Sequence, residues 1–167
     1  EEGLEIIPPF MAPYKGIELR EFNLDAALKR KPQILLVDEL AHTNANGLRH
    51  KKRYEDIEEL LDAGIDVYTT VNIQHLESLN DIVENITKIH VKERIPDRVF
   101  DEAEQVKLID IEPDLLITRL KEGKIYKTVQ AERALQNFFA KEKLIALREI
   151  ALRKMADKVN QIAQQER

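Results

Sequence analysis

The chain has 167 residues, 43% hydrophobic and 34% charged, enough for one domain with a core of its own. A net charge of −5 excludes a general basic field that would coat nucleic acid, and the lack of cysteine excludes disulfides and thiolate metal cages. No apolar run approaches the roughly 18 residues of a membrane span, and no signal-peptide pattern opens the chain.

Residues 1–7 read as a helix end capped by Gly3 and then a strand over 4–7 stopped by Pro8-Pro9, so the fold's first element is expected upstream. Residues 10–16 carry turn and loop signals. Asn23 is placed to cap a short helix whose C-terminal dipole is complemented by Lys29, Arg30 and Lys31 before Pro32 closes it. The apolar run 34–37 reads as a fully buried strand. After a loop over 41–47, "RHKKR" opens a helix with Tyr54, Ile57, Leu60 and Leu61 on one face and Gly64 as its stop. Residues 67–71, "VYTTV", form the next strand, and a helix follows with Asn72 as candidate N-cap.

Strand, helix, strand and helix with connections this short predict an α/β fold, a three-layer α/β/α arrangement around a mainly parallel sheet. Downstream, 97–104 reads as a short helix, 106–111 as a further strand of the sheet, and 113–123 as a helix begun by Pro113 and ended at Gly123. From Thr128 the chain reads as helical to its end, with Leu144, Leu147, Ala151, Met155, Val159 and Ile162 in one stripe. The expected organisation is one domain over 1–142 and a C-terminal helix over 143–167 leading towards a next domain.

Ligands of open α/β sheets sit at the carboxyl ends of the strands, so the residues just after strands are the candidates. Asp38 and Glu39 follow one strand; Asn72, Gln74 and His75 follow the next, and all converge if the two strands are neighbours. An apolar strand ending in Asp-Glu is the Walker B pattern, in which the first acid holds Mg²⁺ through water and the second orients an attacking water. Thr43, in the following loop, joins the candidate nucleotide contacts. Such acids are also common as solvated loop starts or helix caps, and a histidine on a first helical turn is often structural. His42 and His50 flank the loop without the fixed spacing of a zinc site. Arg49, His50, Lys51, Lys52 and Arg53 place cations at a helix start, where the dipole disfavours them; a bound anion would offset this, and a solvated helix start is the alternative. No G-x-x-x-x-G-K-[ST] cradle is present, because Gly123-Lys124 has Thr118 and Ile125 at the positions that need Gly and Ser or Thr.

The stretch "LLVDELAHTNANGLRHKKRYEDIEELLDAGIDVYTTVNIQHLESLNDIV", with "QNFF" and then "LIALRE", resembles the N-terminal cytoplasmic domain of the Kdp potassium sensor histidine kinases, the KdpD family of bacterial two-component proteins. The resemblance covers nearly the whole chain; Asn46 stands where the family commonly has proline. It implies a P-loop NTPase-like fold whose first strand and Walker A loop lie upstream, and which is followed by a stress-protein-like domain, four membrane helices and a kinase transmitter. It further implies that the complete domain binds Mg-ATP and modulates the kinase and phosphatase balance controlling a potassium pump. Asp38 and Glu39 become the Walker B pair, with Glu39 the water-orienting acid if any residue is catalytic. Partners implied are other domains of the same kinase and the anionic membrane surface, not nucleic acid. The implied setting is the cytoplasmic side of an inner-membrane homodimer. Autokinase activity is not expected of these residues alone. The competing readings are an autonomous P-loop ATPase and an interaction module using "RHKKR" and the final helix.

Overall fold

In the computed structural model, which describes residues 2–124 and 139–165, the chain opens with a hairpin and not with a strand over 4–7. Strands β1 (Phe10–Tyr14) and β2 (Ile17–Glu21) pair antiparallel, Tyr14 opposite Ile17 and Pro13 opposite Glu18. The turn residues Lys15 and Gly16 have φ of 45° and 83°, the positive values that a two-residue hairpin turn of the right twist needs. With Tyr14 and Ile17 closing that turn, Pro13 falls at a non-hydrogen-bonded pair, where its missing N–H removes no ladder bond. Proline in this register is compatible with a strand, which is why the turn signals of residues 10–16 misled.

Helix α1 (Leu24–Arg30) forms as its caps predict. The Asn23 side chain accepts a hydrogen bond from the Ala26 amide at 3.1 Å, and Lys31 ends the helix in the left-handed region. Strand β3 (Ile34–Val37), helix α2 (Arg53–Asp62) and strand β4 (Asp66–Thr69) follow, and β3 and β4 pair in parallel, Ile34 opposite Asp66 and Val37 opposite Thr69. This is a parallel unit with a crossover helix. The sheet has two strands among the described residues, so β3 is not buried on both faces. Val37 is buried, while Ile34, Leu36 and Tyr68 on the other face are 52%, 60% and 65% exposed.

Of the basic run only Arg53 lies in α2, as its first residue. Residue 52 is the N-cap, its amide bound by the Glu55 carboxylate at 2.9 Å, and an isolated bridge between Thr43 and Lys52 holds the preceding residues extended.

These elements belong to one compact unit, Glu1–His75 with Glu93–Ile95; Leu76–Lys92 with Pro96–Arg167 form a second. The helix expected from Asn72 begins instead as a single 3₁₀ turn (Ile73–His75), and in the second unit α3 spans Glu77–Thr87. Its first turn is capped from downstream, where the Asp97 carboxylate accepts from the Ser78 amide at 2.9 Å. Helices α4 (Asp97–Asp101), α5 (Pro113–Lys121) and α6 (Lys141–Gln165) complete the unit, with α6 packed on α3 and α5 and a core that includes Val83, Val91 and Leu147.

Residues 106–111 are not a strand. They have no ladder partner among the described residues, Ile109 is exposed, and Arg148 of α6 holds Asp110 through two hydrogen bonds of 2.8 and 2.6 Å. The expected stripe on α6 is also displaced. The buried face runs through Leu144 and Leu147 to Lys154 and Lys158; Lys154 lies over the Phe100 ring and pairs with Asp97, and the Lys158 ammonium donates to the Asp101 carbonyl. The helix predicted over 128–138 lies outside the described residues.

Candidate functional site

Because β3 and β4 are parallel neighbours, their carboxyl ends lie side by side, and the residues following each meet there. The Thr70 hydroxyl donates to Asp38 Oδ1 at 2.5 Å and accepts from the Glu39 amide at 3.3 Å, while the Leu40 amide donates to the Thr70 carbonyl at 2.9 Å. Glu39 turns the chain with φ of 56°, a left-handed conformation uncommon for a residue with a Cβ and often associated with functional sites. Beneath this turn lies a cavity of about 150 Å³, whose polar lining is Glu39, His42, Thr70, Asn72, His75 and Glu93.

Two groups in the cavity are held in fixed orientations. His75 Nδ1 lies 2.8 Å from the Glu93 carbonyl, an acceptor only, so this nitrogen carries the proton and the neutral ring has Nε2 as its acceptor. The Glu93 carboxylate accepts from the Thr43 amide at 2.9 Å. Burial raises its pKa, but the hydrogen bonds from Thr43 and the Lys52 charge more than offset this and leave it below the usual carboxylate range. Lys52 in turn donates to the Ala41 carbonyl at 2.6 Å and to the Thr43 hydroxyl at 3.0 Å, its pKa lowered by burial against the pull of Glu93 and Glu55.

The loop over 41–53 is braced from below. Glu21, 5% exposed at the end of β2, accepts from His42 Nε2 at 2.9 Å and from the Ala45 amide at 3.0 Å, with the Arg53 guanidinium 3.7 Å away. Arg53 also donates to the Asp38 carbonyl at 3.0 Å, so it ties the buried carboxylate to the acidic turn. Asn44 donates to the His50 carbonyl at 3.0 Å and to Asp56 at 2.7 Å. Burial raises the Asp56 pKa, and the Asn44 hydrogen bond only partly opposes it.

Most of the basic run is engaged internally. Arg49 pairs with Asp25 and Glu59 at 2.9 Å each, His50 with Glu59 at 2.6 Å, and Lys52 and Arg53 as above. Lys51 is exposed and has no side-chain partner among the described residues. Acids of the same unit thus offset the unfavourable placement of cations at the helix start.

Over residues 1–159 the chain matches the family described as the osmosensitive K⁺ channel His kinase sensor domain, KdpD. The chain belongs to the KdpD sensor-domain family. It is 65% identical over 159 residues to the sensor protein KdpD of Clostridium acetobutylicum, covering 95% of this chain and 18% of that protein. The sensor protein KdpD of Escherichia coli is 59% identical over 160 residues, 96% of this chain and 18% of that protein. That of Mycobacterium tuberculosis is 52% identical over 156 residues, covering 93% and 18%. The chain therefore spans under a fifth of the length of these relatives. No helix among the described residues is long and apolar enough to cross a membrane.

Within this family domain the structure brings together Asp38, Glu39, Asn72 and His75 of the residues expected from sequence. Thr43 braces Glu93 and does not line the cavity, and Gln74 lies on the 3₁₀ turn outside the lining. Sequence reasoning passed over Thr70, Glu93 and Glu21. Thr70 had a signal, as a hydroxyl in the same strand-end position as Asp38. Glu93 and Glu21 are 18 residues after His75 and 17 before Asp38, and nothing local marks them.

Proposed function

We propose that this chain is the cytoplasmic regulatory domain of a bacterial two-component sensor histidine kinase that responds to potassium or osmotic state. In this reading its first unit supplies the metal and terminal-phosphate side of a nucleotide site. The observation carrying the proposal is the convergence of Asp38, Glu39, Thr70, Asn72 and His75 at the carboxyl ends of neighbouring parallel strands, the place where α/β sheets hold ligands. The family description of a His kinase sensor domain supports the signalling role.

The residues fit Mg²⁺ held through water. Thr70 occupies Asp38 Oδ1, the carboxylate is exposed, and its other oxygen can accept from a hydrated ion. The ion, when bound, neutralises phosphate charge. Glu39 is exposed at the cavity mouth and can accept from a water there, while Asn72 can donate to a phosphate oxygen. His75 Nε2 accepts from a water when neutral and donates to phosphate when protonated. At about 150 Å³ the cavity is below the roughly 300–1,000 Å³ of whole-ligand pockets and suits a phosphate end. A phosphate cradle from outside these residues would complete a P-loop NTPase-like, three-layer sheet, and the open face at Ile34, Leu36 and Tyr68 accords with a larger sheet.

In the natural full-length kinase, Asp38→Asn is expected to abolish the response of its kinase and phosphatase balance to Mg-ATP at the regulatory domain while leaving autophosphorylation intact. An unchanged response would contradict the assignment. Steady Mg²⁺-dependent hydrolysis lost in Glu39→Gln would favour an ATPase instead.

A further inference from the structure

We infer that Glu93 is a positioning residue of the candidate site, acting through His75, and that the short strap carrying it, Glu93–Ile95, makes the state of His75 answer to the second unit. The strap belongs to the first unit, yet the chain enters it from Lys92 and leaves it at Pro96, both of the second. Ile95 is fully buried and precedes a proline, which restricts it to extended backbone, so the strap is anchored and stiff at its downstream end.

Three hydrogen bonds join this stretch to the chain around His75 like rungs of a ladder. His75 Nδ1 donates to the Glu93 carbonyl at 2.8 Å, the Ile95 amide donates to the His75 carbonyl at 2.8 Å, and the Ser78 amide donates to Asp97 Oδ1 at 2.9 Å. Glu93 is fixed at its other end as well, because its carboxylate accepts from the Thr43 amide at 2.9 Å. One residue thus spans the chain segments following β3 and β4, the two that supply most of the cavity lining. Held at both ends, Glu93 keeps its carbonyl aimed at the ring.

A carbonyl can only accept, so the proton of the neutral ring is kept on Nδ1 and Nε2 is left as an acceptor. His75 lines the cavity together with the Glu39 and Glu93 carboxylates, and a wall of acceptors receives the waters of a hydrated cation better than a bare phosphate oxygen. On the nucleotide reading above, on which this step rests, the strap biases the cavity towards the metal complex of the nucleotide. Beyond the strap, Asp97 also pairs with Lys154 of α6 at 3.3 Å, so a displacement of α6 reaches His75 along the chain through Asp97, Pro96 and Ile95.

Nitrogen-15 NMR of the histidine rings tests this in the 167-residue chain itself, at about pH 8 where imidazole is neutral. The chain has four histidines, and the His75 signals are those lost in His75→Gln. The parent and Glu93→Gln, which keeps an acceptor for the Thr43 amide, should show His75 protonated at Nδ1 alone. Glu93→Ala should show both tautomers of His75 with the His50 and His90 rings unchanged, which reports that the variant is folded. Lys154→Met should shift the His75 Nε2 resonance and leave that of His50 in place. A parent protonated at Nε2, a single unchanged tautomer in Glu93→Ala, or a His75 signal indifferent to Lys154→Met overturns the inference. In the longer natural protein Glu93→Ala should weaken Mg-ATP binding about 5–10-fold and Glu93→Gln much less; equal affinity of all three also overturns it. If the longer protein binds no nucleotide the functional reading fails, and the ring spectra alone decide the positioning role.

Discussion

Replacing Glu21 by alanine should destabilise the first unit more than any other single change near the site. The carboxylate is 5% exposed and serves three partners: His42 Nε2 at 2.9 Å, the Ala45 amide at 3.0 Å and the Arg53 guanidinium at 3.7 Å. Arg53 is largely buried and its Nε has no hydrogen-bond partner, so once Glu21 is gone its charge is left with the Asp38 carbonyl and the exposed Glu39 carboxylate, 3.9 Å away. Removing one partner of a buried pair costs about 3–5 kcal/mol, because the other charge stays desolvated. For a chain of this size that corresponds to a fall in Tm of roughly 6–20 °C. Glu21→Gln keeps an acceptor for the Ala45 amide and loses the charge, so its cost should be about 1.5–3 kcal/mol. Urea unfolding at neutral pH measures both. A Glu21→Ala variant within about 0.5 kcal/mol of the parent would place Glu21 among ordinary surface residues and refute the bracing role.

Asp56→Asn tests a buried acid whose native pKa is raised by burial. Such a group contributes fully below its unfolded pKa of about 4 and loses that contribution as pH rises through the folded value. The asparagine variant should therefore gain urea midpoint relative to the parent between pH 4 and pH 8, and a relative loss would contradict the reasoning. Glu93 has the opposite sign: its pKa is lowered, so its contribution is present above about pH 4.5 and fades on acidification, and Glu93→Gln should flatten the acid limb of stability. Equal acid limbs would show that the Thr43 contact has no energetic consequence. Thr70→Val removes the hydrogen bond to Asp38 and should weaken any Mg²⁺-dependent nucleotide binding about 5–10-fold, with stability lowered by about 1 kcal/mol; unaltered binding in a titration would show that Asp38 needs no positioning.

Where local chemistry decides structure, the sequence was readable. Asn23 and Lys31 bound α1, Gly64 ends α2, Pro113 opens α5, and the alternation through β3, α2 and β4 led to a parallel pair with acids and polar groups at one end. Where register or distant partners decide, it was not. The β1–β2 hairpin depends on Pro13 falling at a pair that needs no N–H, a fact visible only once the Lys15-Gly16 turn sets the register. The run 106–111 has strand-like composition but no neighbouring strand among the described residues. On α6 the true inner face includes Lys154 and Lys158, whose aliphatic stems and distant acceptors no apolar count would select. The cavity shows the same division. Asp38, Glu39, Asn72 and His75 follow strands and could be named from sequence, whereas Glu93 and Glu21 arrive from elsewhere in the chain, Glu93 to hold His75 and Thr43 and Glu21 to hold the loop at His42 and Ala45.

The central claim, that the ends of β3 and β4 form the metal and phosphate side of a nucleotide site, is tested most directly by calorimetric titration of Mg-ATP. The titration is run into this chain and into the longer natural protein, each with and without Asp38→Ala. The account predicts Mg²⁺-dependent binding by the longer protein, lost in Asp38→Ala, and little or none by this chain, whose cavity takes only a phosphate end. Undiminished binding by Asp38→Ala would contradict it.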